Sequence, residues 1–393
     1  MISERRNVAL LTACQAMLLT NNSTLIAING LAGLALATNR ALATLPVTFW
    51  VLGGAIATMR ASLHMKRVGR RRGLMFGTLW GVGGALLCAA AIWLHSFWLL
   101  CFATLVYGVY NAYGQYYRFA AADVAGVQFR PIAISLVLAG GLVGGILGPM
   151  TSRLTVDLLP QRFLGAYLAL IVVALVTMAL LRFIRIPEPS AAERNALGRP
   201  MSEIAAQPKF IVAVVSGAIS YGVMNFLMTS TPIAMNICGH PYKAATFVIS
   251  SHVVGMYLPS FFTGGLIRRF GALPVMFAGA LLNVASIGVA LSGIAVTEFW
   301  AALVLLGVGW NLLFIGATTL LTETYRPEER ARAQGANDSA IFIMMALSSF
   351  SSGLIVTGSG WNGVNYAALP LIAVVMGAIA WLALRQRARG AAA

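Results

Sequence analysis

Lys, Arg, Asp and Glu are absent from ten long runs of this chain: 7–39, 41–59, 73–117, 131–152, 163–181, 210–242, 244–267, 270–297, 299–322 and 339–384. A bilayer core tolerates few charges, and a helix that crosses it needs about 20 apolar residues. Eight runs fit one crossing each. The two double-length runs divide at turn signals, His95-Ser96 in the first and Gly358-Ser359-Gly360 in the second. The pattern predicts an all-α membrane protein of twelve spans. Only 10% of the residues are charged, where a soluble domain carries about 25%. There is too little charge here to clothe a soluble surface.

The formal net charge of +16 invites a nucleic-acid reading, which the positions of the charges exclude. If the N-terminus, with Arg5 and Arg6, is cytoplasmic, 23 of the 27 basic residues fall on that side. Arg40, Arg153, Arg162 and Lys243 are then left outside. This is the asymmetry of the positive-inside rule, and it predicts that both termini are cytoplasmic. The basic residues report topology rather than a surface for nucleic acid. Cys14, Cys88 and Cys101 lie in apolar runs and Cys238 near an outer loop, a pattern of packing residues without a disulfide framework. The first run follows Arg5-Arg6 with no small-residue cleavage site, so it is expected to be a retained span.

The longest polar stretch, Arg185 to Lys209, holds Pro187, Pro189, Pro200 and Pro208 and separates two sets of six spans. The expected organisation is residues 1–185 as one bundle, 186–208 as a cytoplasmic linker and 209–393 as a second bundle. A short surface helix is expected after Pro200. The halves repeat. Ser62-x-x-x-Lys66-Arg67-Val68-Gly69 returns as Gly264-x-x-x-Arg268-Arg269-Phe270-Gly271, 202 residues later. Tyr110-Asn111, Asp123 and Arg130 return as Trp310-Asn311, Glu323 and Arg330, each 200 residues later. Four paired features at nearly one offset imply a duplicated six-span unit.

Twelve spans, a central loop and basic turns after the second and eighth spans resemble the major facilitator superfamily. Arg67, Gly69, Arg71 and Arg72 match that family's loop motif, while Ser62 stands for its glycine and Lys66 for its aspartate. Gly144-x-x-x-Gly148-Pro149 in the fifth span is similar to part of the family's antiporter motif, without the glycine pair that follows the proline. The resemblance implies two pseudo-symmetric six-helix bundles that rock around a solute bound near the bilayer midplane.

Polar and aromatic residues at mid-span are therefore the candidate substrate contacts: Asn22, Tyr110, Asn111, Tyr221, Asn225, His252, Trp310 and Asn311. An amide in hydrocarbon must find a partner, so each is either a helix–helix hydrogen bond or a ligand contact. His252 has three readings: cavity residue, proton carrier or structural histidine. The fifth-span glycines serve close helix packing or, as the motif implies, the control of proton leak. The charges at the basic ends of the spans are the candidate gate: Lys66, Arg67, Arg71, Asp123, Arg130, Arg268, Arg269, Glu323, Arg330 and Asp338. In the superfamily the loop aspartate faces the start of the eleventh span. Asp338, one turn inside that span, is expected to restore this charge by meeting Lys66 or Arg67. The alternative is that these are solvated interfacial charges. Asp123, Glu323 and Asp338 join His252 as candidates for proton coupling.

No Gly-x-x-x-x-Gly-Lys-Ser/Thr loop is present, which removes an ATP-driven pump. His64, His95, His240 and His252 are far apart, with no Cys or carboxylate spacing to match, so no metal or other cofactor is expected. The expected function is secondary active transport of a small organic solute across a bacterial inner membrane, by alternating access. Catalytic residues are not expected. A passive channel is the rival class, and saturable against linear flux separates the two. With no charge at a span midpoint, the solute is expected to be neutral, zwitterionic or amphipathic. Proton coupling is expected and the partial fifth-span motif points towards efflux, with uptake by a symporter or uniporter as the alternative. A monomer is expected.

Overall fold

In hydrocarbon every backbone N–H and C=O must be satisfied within the chain, which leaves helices or closed barrels as solutions. A computed structural model describes residues 2–38, 42, 45–188 and 198–391, and it takes the helical one. The predicted outer loop at Arg40 and linker residues 189–197 lie outside the described residues. The helices are α1 (Ile2–Leu36), α2 (Leu45–Val68), α3 (Arg70–Trp93), α4 (Phe97–Gly114), α5 (Tyr117–Val124), α6 (Arg130–Thr155) and α7 (Leu164–Arg182). A short α8 (Met201–Ala205) follows Pro200, as the sequence predicts. The rest are α9 (Pro208–Ile237), α10 (Tyr242–Tyr257), α11 (Ser260–Phe270), α12 (Ala272–Ser292), α13 (Val296–Leu321) and α14 (Arg330–Ala391).

Among the described residues, ten stretches are long and apolar enough to cross a membrane. α1 and α2, at 35 and 24 residues, are long enough to add two more, their apolar character diluted by Asn21, Asn22 and Ser23 in the one and by Arg60 in the other. Two of the twelve crossings are broken helices where the sequence predicts continuous ones. α4 and α5 form one, divided at Gln115-Tyr116, and α10 and α11 form another, divided at Leu258-Pro259. Proline carries no N–H and breaks the helical ladder at the second of these. α14 supplies the last two crossings, separated at Gly360, whose φ of 67° only glycine adopts easily.

The chain folds as two compact units, residues 1–127 with 136–196, and residues 128–135 with 197–393. Within the first, α2 lies flat on α4. A Cβ on Gly53 would strike the Leu105 carbonyl, and one on Gly108 the Trp50 carbonyl. Small residues thus set the interhelical distance, as they do where no hydrophobic force separates helix from lipid. In the second unit the same device joins α10 to α13, where a Cβ on Gly307 would lie 2.7 Å from the His252 carbonyl. The turns after α2 and α11 share one geometry. Gly69 has φ 89° and Gly271 φ 86°, so the repeated Arg-x-Gly of the sequence is a repeated left-handed turn.

Candidate functional site

In the first unit, Asn22 of α1 and Asn111 of α4 meet. Asn22 Nδ2 donates to Asn111 Oδ1 at 2.8 Å, and Gln115 Nε2 donates to the same oxygen at 3.4 Å. Asn22 Oδ1 is buried without a hydrogen-bond partner among the described residues. An amide oxygen stranded this way costs about 1–3 kcal/mol, so it calls for a donor from elsewhere. Arg118, just past the α4–α5 break, is also buried and donates to both oxygens of Gln115, at 3.0 and 3.1 Å. Gln115 and Arg118 were not among the sequence candidates, because Arg118 reads as one more charge at the end of a span.

Tyr110 takes a different place. One residue before Asn111, it points about 100° away around the helix, and is buried against Tyr107 and the Gly81 face of α3. Its ring packs between α4 and α3, and its hydroxyl is buried without a hydrogen-bond partner among the described residues. The fifth-span glycines also serve packing. Gly140, Gly144 and Gly148 of α6 lie directly on the α1 backbone between Thr12 and Thr24, and Thr24 donates to the Gly148 carbonyl at 2.9 Å.

In the second unit, four aromatic rings converge. Trp310 stacks on Phe314 one turn further along α13, with centroids 5.0 Å apart and planes 13° apart. Tyr221 of α9 meets both edge-on, at 5.4 and 5.3 Å, and Tyr257 of α10 meets Trp310 at 6.0 Å. These are the favoured arrangements of aromatic quadrupoles. Trp310 Nε1 is buried without a hydrogen-bond partner among the described residues. Tyr221 is only half-buried, which makes it the ring of the group within reach of a solute. Asn225, one turn beyond Tyr221, donates to Ser348 Oγ at 2.9 Å and to the Met345 carbonyl at 3.3 Å, joining α9 to α14.

Asn311 is fully used by the protein. Its Nδ2 donates to the Met256 carbonyl at 2.6 Å and to Ser260 Oγ at 2.5 Å, and its Oδ1 accepts from Thr263 at 2.7 Å. Met256, Ser260 and Thr263 flank the α10–α11 break, so Asn311 ties both sides of that break to α13. His252 is fully buried, and its Nδ1–H donates to the Leu303 carbonyl at 2.7 Å. Its Nε2 has no hydrogen-bond partner among the described residues, which leaves one lone pair open.

The candidate gate charges divide. Asp123 accepts from Arg70 Nε at 3.0 Å with both side chains about nine-tenths buried, a partner the sequence did not suggest. Glu323 pairs with Lys209 at 2.6 Å in a half-exposed bridge, whose contribution is small. Lys66 and Arg67 end α2, Arg71 lies in the first turn of α3, and Arg130 and Arg330 open α6 and α14. Arg268 and Arg269 are exposed at the end of α11. Asp338 lies deeper than expected. α14 begins at Arg330, so Asp338 is more than two turns inside, buried, with Oδ1 accepting from Asn337 at 2.8 Å. The helix before it carries Arg330, Arg332, Gln334 and Asn337 among small residues, which disguised its start in the sequence.

A Major Facilitator Superfamily profile matches residues 9–251 and again 213–392. The chain is 41% identical over 394 residues to the riboflavin transporter RfnT of Brucella anthropi, covering 99% of this chain and 98% of that one. It is 29% identical to YddS, an uncharacterised MFS-type transporter of Bacillus subtilis, over 86% of this chain and 82% of the other. Among solved structures, FucP in its outward conformation superposes with a TM-score of 0.76 at 13% identity, over 95% of this chain and 98% of that one. The human organic anion transporter TETRAN gives 0.73, also at 13%, over 96% of this chain and 99% of that one. Identities this low carry the fold alone. The chain belongs to the Major Facilitator Superfamily. It is a multi-pass membrane transporter of a small molecule and not an enzyme.

Proposed function

We propose that this protein takes up riboflavin, or a flavin closely related to it, across the bacterial inner membrane. The observation that carries the reading is the Tyr221–Trp310–Phe314–Tyr257 cluster, in a chain 41% identical over its full length to a riboflavin transporter. An isoalloxazine ring is flat, amphipathic and uncharged at neutral pH, and its edge carries hydrogen-bond acceptors. Aromatic faces stack on such rings for about 1–3 kcal/mol each. Trp310 Nε1 is an unspent donor beside them. Neutral recognition of this kind agrees with a solute that needs no counter-charge.

The direction proposed is import. The motif that pointed to efflux consists of glycines whose place is explained by the packing of α6 on α1. Alternating access, with the protein working as a monomer, is part of the proposal. So is proton coupling through His252, whose open Nε2 can accept a proton. Asp123 and Glu323 are the weaker carriers, because each is held in an ion pair.

The test is a titration of purified protein with riboflavin, followed by flavin fluorescence, which stacking on Trp or Tyr quenches. Wild type is expected to quench saturably. Tyr221→Ala, folded by size-exclusion profile, is expected to bind about tenfold or more weakly, the equivalent of 1.4 kcal/mol. Equal affinity in the folded variant would remove the aromatic cluster from the site, and the absence of any saturable quenching in wild type would remove the flavin.

A further inference from the structure

A cavity of about 210 Å³ lies at the basic end of the first unit, lined by residues 68–72, 184–186 and 188. One wall is the left-handed turn at Gly69 and the first turn of α3. The other is the segment that leaves α7, and Asn7 fixes it. Asn7 Oδ1 accepts from the Arg185 backbone N–H at 3.1 Å, and its Nδ2 donates to the Arg185 carbonyl at 2.8 Å. Two stretches more than 100 residues apart in sequence thus hold four arginines around one space.

The charges around it do not balance. Arg70 turns inward to Asp123 at 3.0 Å, and Arg72 reaches Glu188 at 3.1 Å. Arg71 and Arg185 line the same cavity, and no ion-pair partner for either is found among the described residues. Two guanidinium groups are therefore left in excess on the walls of one cavity, a surplus of positive charge that favours an anion there. The α3 N-terminus opens on the same space without a side-chain cap, adding partial positive charge.

We propose that this cavity is an anion site for a phosphate group, held by Arg71 and Arg185. Guanidinium pairs phosphate bidentately and is the side chain best matched to it. With the basic ends of the spans facing the cytoplasm, the phosphate comes from an anionic phospholipid headgroup of the inner leaflet or from a soluble phosphate. Occupancy ties the α2–α3 turn to the segment that leaves α7.

The experiment compares wild type with Arg71→Gln/Arg185→Gln by thermal unfolding in detergent at fixed ionic strength. Phosphatidylglycerol, phosphatidylcholine and inorganic phosphate are added in separate arms. Native mass spectrometry counts the phosphatidylglycerol retained by each protein. Both arginines are at the surface, so the variant should match wild type in phosphatidylcholine. Phosphatidylglycerol is expected to raise the melting temperature of wild type by about 2–4 °C over phosphatidylcholine, and the variant is expected to lose that rise and retain less lipid. If inorganic phosphate alone gives the same rise in wild type and none in the variant, the site stands with a soluble source. Equal shifts and equal lipid retention in the two proteins, or no shift in wild type with either anion, would overturn it. A variant that unfolds in phosphatidylcholine is replaced by Arg185→Gln alone, read by lipid retention on the same criteria.

Discussion

Asn111 and Asn311 stand 200 residues apart at the same place in the repeat, and the two units use them differently. Asn311 closes three hydrogen bonds across α10, α11 and α13. Asn111 offers one oxygen to Asn22 and Gln115 in a group that still has an open acceptor. Opposite outcomes follow from their substitution. Asn311→Leu strands the Met256 carbonyl, and interhelical bonds in membranes are each worth about 0.6–1.7 kcal/mol. Unfolding in detergent should show a loss of roughly 2 kcal/mol. Asn111→Ala removes one interhelical bond, from Asn22, and should cost only about 0.6 kcal/mol, with weakened riboflavin binding as its main effect. Equal loss of stability in both would place Asn111 among the packing residues. The sequence names both asparagines but does not separate their roles, because the role depends on which carbonyl lies opposite. The distinction for Tyr110 is similar, since a step of one residue around α4 decides between the Asn22 group and the α3 face.

At the scale of the element, the linker ends in a clamp that the sequence conceals. Glu329, fully buried, takes hydrogen bonds from Arg199 at its backbone N–H (2.9 Å), Nε (2.8 Å) and Nη2 (2.6 Å), and from the Arg326 N–H at 2.9 Å. Arg332 donates to the Arg199 carbonyl at 2.9 Å, and Arg199 Nη2 and Gln207 both reach the Thr324 carbonyl. Gly198, at φ 60°, lets the chain turn over Glu329. These donors, Arg199 first, hold the Glu329 carboxyl at about 2, below its ordinary 4.5. A depressed carboxylate stabilises the fold fully above the unfolded value near 4.5 and ceases to do so as the pH falls towards 2. Thermal unfolding between pH 6 and pH 3 should therefore show wild type losing stability that Glu329→Gln has already lost, by roughly 1.5–3 kcal/mol. Parallel pH profiles would show that the clamp contributes nothing. The spans were legible because the bilayer filters charge residue by residue along the chain. The clamp was not, because it joins residues 130 apart, and Arg199 reads as an ordinary linker charge and Glu329 as an ordinary loop charge. The helix breaks at Gln115 and Leu258 were hidden for another reason. Charge-free runs mark where a crossing lies but are blind to its internal hydrogen bonds.

For the whole molecule, the repeat visible at offsets of 200 and 202 residues becomes two compact units, each with its own left-handed turn and its own group of open polar atoms. The proposed activity is carrier-mediated flavin movement, with His252 as the proposed group that couples it to protons. Counterflow in proteoliposomes tests that claim most directly. Vesicles are loaded with unlabelled riboflavin at equal pH on both faces, and labelled riboflavin is supplied outside. The account predicts transient, saturable accumulation of label in wild type and in His252→Gln, and accumulation driven by a pH gradient in wild type alone. Label that enters linearly with concentration, with no overshoot under counterflow, would show a pore or no flavin pathway at all, and would contradict it.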